Sequence, residues 1–130
     1  MSMDKLIQKA SEAQQNAYAP YSNFKVGAAL LTKLDTIFTG ANIENSSYSL
    51  TCCAERIAIF KAISEGERYF KRLVIIGDTE KPIQPCGACR QVMAEFFDDK
   101  VEILLMNNKG DKEQTTISRL LPSSFSLYDN

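Results

Sequence analysis

Apolar residues Leu6, Ile7, Ala10, Ala13 and Ala17 recur at helical spacing across residues 3–17. That stretch predicts an amphipathic helix, with Ser2 placed to cap its start. Pro20 cannot continue the helix, and residues 18–23 have the composition of a loop. Residues 24–32 then run almost continuously apolar, break at Lys33-Leu34-Asp35, and resume at 36–40. These predict the two strands of a hairpin. A polar stretch, 42–49, leads into a helix that carries Ile57, Ala58, Phe60, Ala62 and Ile63 and stops at Gly66. The short apolar run 73–76, ending in Gly77-Asp78, suits a strand buried on both faces. Pro82 and Pro85 bracket a loop; 88–97 read as a third helix, 101–106 as another buried strand and 107–111 as a turn. A last strand at 114–117, a short helical turn through Leu121, and Pro122-Ser123-Ser124-Phe125 complete the chain.

The order is helix, hairpin, helix, strand, helix, strand, tail. Strands that alternate with helices need crossover connections and therefore some parallel pairing, whereas the hairpin is antiparallel. The expected architecture is α/β: a mixed, partly parallel five-stranded sheet between helices, as a three-layer α/β/α sandwich. One domain is expected over residues 1–130.

Composition narrows the function. A chain of 130 residues, 45% apolar and with formal net charge -1, can bury about two thirds of its unfolded surface in a single core. No apolar run approaches the roughly 20 residues of a membrane span, and the first ten residues lack the apolar stretch of a secretory signal. A cytoplasmic location is the expectation. Fifteen Lys and Arg against sixteen Asp and Glu leave no basic excess for a phosphate backbone. The expected partner is a small molecule rather than polymeric nucleic acid or a membrane.

The chain has no His and four Cys. Any triad built on His is excluded, and metal chemistry must rest on Cys, Asp and Glu. In a chain without a secretory signal, thiols read as metal ligands or redox groups before structural disulfides. Pro85-Cys86-Gly87-Ala88-Cys89 places two thiols three residues apart at a helix start, where the dipole and free N–H groups favour thiolate. Cys53 stands at a second loop-to-helix junction. Three sulfurs would leave one tetrahedral position open, which distinguishes a catalytic zinc from a structural one. Three thiolates outweigh a dication, and Arg56, one turn after Cys53, is placed to offset the surplus; it also reads as a solvated helix residue. Glu55 is the carboxylate nearest the sulfurs and the natural proton carrier, although it suits the helix dipole equally well as a first-turn acid. On a regular helix Cys53 and Glu55 would diverge by about 200°, so they converge only if Cys53 lies at an irregular helix start. Spacing alone leaves open whether Cys52 or Cys53 is the ligand, and Cys52 is most simply a small buried residue.

The segments Cys53-Ala54-Glu55-Arg56 and Pro85-Cys86-Gly87-Ala88-Cys89-Arg90-Gln91 resemble the paired signature of the small zinc cytidine deaminases. The likeness continues through residues 19–29, 40–48 and 120–125, and so covers most of the chain. It implies one zinc per subunit on Cys53, Cys86 and Cys89, with Glu55 moving protons while water, activated by the metal, attacks C4 of cytosine. Cytidine and deoxycytidine would yield uridine and deoxyuridine plus ammonia, a pyrimidine salvage reaction. The resemblance also assigns Asn42 and Glu44 to the ribose hydroxyls, Phe24 to a wall beside the base, and Ala54 to the substrate site; Phe24 reads equally as strand core. Phe125 and Tyr48 are implied to serve across a subunit boundary in a homotetramer whose sites are completed by neighbouring subunits.

Other readings use the same residues. Cys86-Gly-Ala-Cys89 at a helix start suits a thiol-disulfide oxidoreductase, which leaves Cys53 and Glu55 unexplained. A closed structural zinc site on Cys52, Cys53, Cys86 and Cys89 would demand an awkward adjacent pair. Blasticidin deaminases share the three-Cys arrangement, but Asn42-Ile43-Glu44-Asn45 looks more like a nucleoside site.

Overall fold

The structure, a computed structural model, describes residues 2–128. Helix α1 (Met3–Gln14) begins at Ser2, whose hydroxyl accepts from the Lys5 N–H, and buries Leu6, Ala10, Ala13 and Gln14 as one stripe. Strands β1 (Val26–Thr32) and β2 (Ile37–Ala41) form the hairpin. After a single 3-10 turn at Tyr48–Leu50 come α2 (Ala54–Ser64), β3 (Phe70–Gly77), α3 (Gly87–Phe96), β4 (Glu102–Asn107), β5 (Lys112–Thr115) and the short α4 (Ile117–Leu120).

The strands make one mixed sheet in the order β2-β1-β3-β4-β5, with β3 and β4 parallel and the other neighbours antiparallel. Alternation along the three central strands sorts their side chains onto two faces. Ala29, Leu31, Val74, Ile76, Leu104 and Met106 pack with Leu6 and Ala10 of α1. Ala28, Leu30, Leu73, Ile75, Ile103 and Leu105 pack with α2, with Cys89 and Met93 of α3, and with α4. The three layers expected from the sequence are thus present. Each fully buried Leu or Ile contributes about 1.5–3 kcal/mol of transfer free energy, so the sheet is a rigid base for whatever its ends carry.

Several boundaries differ from the expectation. Helix α1 ends at Gln14 rather than Ala17: the Asn16 and Ala17 N–H groups donate to the Ala13 and Gln14 carbonyls three residues back, while the Gln14 side chain turns inward to donate to the Lys25 carbonyl and Asn108 Oδ1. Phe24 lies outside β1: Asn23 takes a left-handed conformation at φ 56°, and Phe24 bonds to side chains rather than to the ladder. Strand β3 starts three residues before the apolar run. Strand β5 ends at Thr115, two residues earlier than expected, and Ile117 opens α4 instead.

Both β2 and β3 run antiparallel to β1, so they share one direction. Helices α2 and α3 follow their carboxyl ends and therefore start at the same edge of the sheet. In α/β folds that edge is where ligands bind. Among the described residues, no helix is long and apolar enough to cross a membrane.

Candidate active site

Cys53 and Cys86 are the N-cap residues of α2 and α3, each with extended backbone (φ -74°, ψ 155° and φ -69°, ψ 168°). Because Cys53 precedes the regular helix, the divergence of 200° does not apply to it, and its sulfur and Glu55 face one cavity. Cys86 Sγ lies 3.9 Å from Cys53 Sγ and 3.3 Å from Cys89 Sγ; all three sulfurs fall within 4.8 Å of one another and all are free thiols. Zinc–sulfur bonds of about 2.3 Å in a tetrahedron put sulfurs about 3.8 Å apart, so the cluster fits that ion. Among the described residues this is the one group of three or more such ligands, and Cys52 is outside it. Cys52 is half-buried rather than buried, and its backbone pairs with Ile43. Burial raises its thiol pKa.

Charge around the sulfurs is arranged in one direction. The Cys89 thiol donates to Cys53 and, with the Arg56 guanidinium, brings Cys53 down to about 5 against the cost of burial. Cys89 moves upward, chiefly through that same hydrogen bond and then through burial. Arg56 Nη2 donates to Cys53 Sγ at 3.4 Å, a contact that raises the guanidinium pKa further. Arg56 Nε is buried without an acceptor among the described residues, a donor still available to an anionic cluster. The Cys89 N–H donates to Cys86 Sγ at 3.4 Å.

Glu55 is buried in the first turn of α2. Loss of water around its carboxyl is the main cause that pushes its pKa up to about 7, and the neighbouring Cys53 adds to the rise. A carboxyl held there is both protonated and ionised near neutral pH, which suits proton transfer. Its cavity of about 200 Å³ is lined by Phe24, Asn42, Thr51, Cys53, Ala54 and Cys86, among others. A cavity of about 330 Å³, lined by Tyr21, Ser22, Glu44, Tyr48 and Thr51, adjoins it across Thr51.

Asn42 and Glu44 hold the loop over this edge. Asn42 accepts from the Val26 N–H and donates to the Phe24 carbonyl, both at 2.8 Å. Glu44 accepts from the Tyr21 and Ser22 N–H groups at 2.9 and 3.1 Å and from the Ser22 hydroxyl. The Ser22 contacts are the main cause that holds its carboxyl below the usual range. Ser22 Oγ also accepts from the Phe24 N–H at 3.0 Å. The Ser22 bridge and the 3-10 turn that presents Tyr48 were missed in the sequence; a hydroxyl two residues before Phe24 was the only signal for the former. Phe125 stands apart. It is 66% exposed and lines a different cavity with Glu95 and the residues that follow it.

Residues 1–105 match the family model described as the cytidine and deoxycytidylate deaminase zinc-binding region. A cytidine deaminase of Sporosarcina psychrophila is 55% identical over 129 residues, 99% of this chain and 95% of that one. Another, from Halalkalibacterium halodurans, is 50% identical over 129 residues, covering 99% and 98%. The crystal structure of cytidine deaminase from Burkholderia pseudomallei superposes with a TM-score of 0.93 at 49% identity, over 96% of this chain and all of that one. With its three thiols gathered at two helix starts beside a buried carboxyl, the chain belongs to the zinc-binding cytidine and deoxycytidylate deaminase family.

Proposed function

We propose that this protein hydrolyses free cytidine and deoxycytidine to uridine and deoxyuridine with release of ammonia. The observation that carries the reading is the convergence of Cys53, Cys86 and Cys89 with Glu55 on one cavity. The similarity to proteins named cytidine deaminases over nearly the whole chain supports it.

Cys53, Cys86 and Cys89 would hold one zinc ion per subunit. When bound, the ion supplies Lewis acidity that makes water nucleophilic near neutral pH. Glu55 takes a proton from the attacking water and passes it to N3 of the ring, then takes the second proton from the new C4 hydroxyl and passes it to the exocyclic amine. The water oxygen ends on C4 and ammonia departs, so water and cytidine balance uridine and ammonia. Arg56 offsets the surplus sulfur charge. Phe24 flanks the base, Ala54 lines the floor, and Asn42 and Glu44 meet the sugar hydroxyls.

The exposed Tyr18, Tyr21, Ile43, Tyr48 and Leu50 support association with further copies of the chain, and the family resemblance extends this to a homotetramer in which Tyr48 and Phe125 complete a neighbouring subunit's site. A single domain acting in the cytoplasm on salvaged pyrimidine nucleosides completes the reading. The near-balanced charge and the neutral or acidic cavity lining favour a nucleoside over a nucleotide.

The test is metal analysis and ultraviolet absorbance on the same purified sample. One zinc per subunit with loss of cytidine and deoxycytidine absorbance is expected. A fully zinc-loaded protein inert toward both, or one that turns over cytidine monophosphate equally well, contradicts the reading.

A further inference from the structure

Beyond the sulfurs, α3 carries a second set of polar contacts, centred on Arg90. Arg90 directly follows Cys89 and is half-buried. Its Nε donates to the Pro85 carbonyl at 2.8 Å, Nη1 to the Leu120 carbonyl at 2.8 Å, and Nη2 to Gln84 Oε1 at 3.4 Å. Pro85 is the residue before Cys86, so the first bond fixes the peptide that feeds the Cys86 N-cap. Leu120 is the last residue of α4, whose end leaves backbone carbonyls without helical partners. One turn of α3 thus ties the thiol-bearing loop to the point where the C-terminal segment departs. Gln91, the next residue, donates to the Phe125 carbonyl at 3.0 Å and holds that segment further along.

The planar guanidinium has donors in fixed directions and reaches three acceptors at once. All three are carbonyl or amide oxygens, and no carboxylate forms an ion pair with Arg90 among the described residues. Its geometry therefore serves to position backbone rather than to neutralise an acid. We propose that Arg90 is a positioning residue that locks the Cys86–Cys89 turn against the end of α4, so that retention of zinc and the docking of the C-terminal segment both depend on it. The inference rests on the reading of these thiols as the zinc ligands. Partners that orient metal ligands typically change affinity 10- to 100-fold when removed.

The experiment measures release of zinc from the purified holoprotein into a chromogenic chelator, beside hydrogen exchange of residues 119–126. Arg90→Gln is expected to release zinc at least about 10-fold faster and to expose the amides of 119–126 to faster exchange. Arg90→Lys keeps the charge but not the fork, and should also release zinc faster than wild type. It serves as the second readout if the Gln variant does not fold. Gln91→Ala should speed exchange near Phe125 while zinc release stays at the wild-type rate. Wild-type zinc release from Arg90→Gln, or from Arg90→Lys, overturns the proposal, the latter because charge alone would then suffice. A wild-type protein that holds no zinc would instead overturn the underlying reading of the thiols.

Discussion

The starts of α2 and α3 are built alike and used differently. Each is opened by a Cys with extended backbone at the carboxyl edge of the sheet. Helix α2 is pressed into the protein: Ala54, Glu55, Ala58, Ile59 and Ala62 are buried. It lies so close to β2 that a Cβ on Gly40 would stand 2.3 Å from the Ala54 carbonyl oxygen and 2.7 Å from the Ala58 nitrogen. Helix α3 buries only Cys89 and Met93, and its Gly87 faces open space. The deep helix start can desolvate a carboxyl and shift its pKa, whereas the shallow one can present two sulfurs and gather the C-terminal segment. On the proposed mechanism the acid-base group comes from α2 alone, whereas the three sulfurs come from both helices, one at the start of α2 and two at the start of α3.

Removing a sulfur from the shallow helix should have the largest effect. Cys86→Ala is expected to leave no zinc bound by metal analysis and no measurable deamination, because two thiols do not close the site. Glu55→Gln separates the two helices most cleanly. It should keep zinc and lose about 10²- to 10⁴-fold in kcat, and near-normal turnover would remove Glu55 from the chemistry. A difference in packing comes next. Gly40→Ala forces a methyl onto backbone and should cost about 1–3 kcal/mol, seen as a fall of several degrees in Tm. Gly87→Ala meets nothing and should stay within about 0.5 kcal/mol. Equal Tm shifts for the two would contradict the contrast in depth.

The smallest effect concerns the loop above both helices. Glu44 has a lowered pKa, so its hold on Tyr21 and Ser22 is complete above the ordinary value of 4.5 and is lost only as pH falls through the lower folded value. The Tyr21 and Ser22 amide resonances should stay constant from neutral pH to about 4.5 and shift below it. A midpoint at or above 4.5 would show that the carboxylate is not held by these groups.

Much of this was legible in the sequence wherever burial writes a period. Leu6, Ala10 and Ala13 mark the inner stripe of α1, and the runs in β1, β3 and β4 are apolar because both of their faces are covered. Strand β5 lacks that signal: Lys112, Glu113 and Gln114 are exposed on an edge, so the apolar Ile117 drew the expected strand toward the helix that it in fact opens. Phe24 falls outside its expected strand for a different reason. Its backbone partners are the side chains of Ser22 and Asn42, and no pattern of hydrophobicity encodes side chains that substitute for a ladder. At the site, the spacing of Cys86 and Cys89 was readable, while their meeting with Cys53 depends on β2 and β3 sharing a direction. Motif and position mark the thiols and Glu55, but nothing in the pattern marks the role of Arg90, because its three acceptors lie five, six and thirty residues away in sequence.

X-ray absorption at the zinc edge of the purified protein tests the central claim most directly. The account predicts three sulfur neighbours at about 2.3 Å and one lighter oxygen or nitrogen neighbour. Four sulfurs, which would bring in Cys52 and close the ion, or a shell without sulfur, would contradict it.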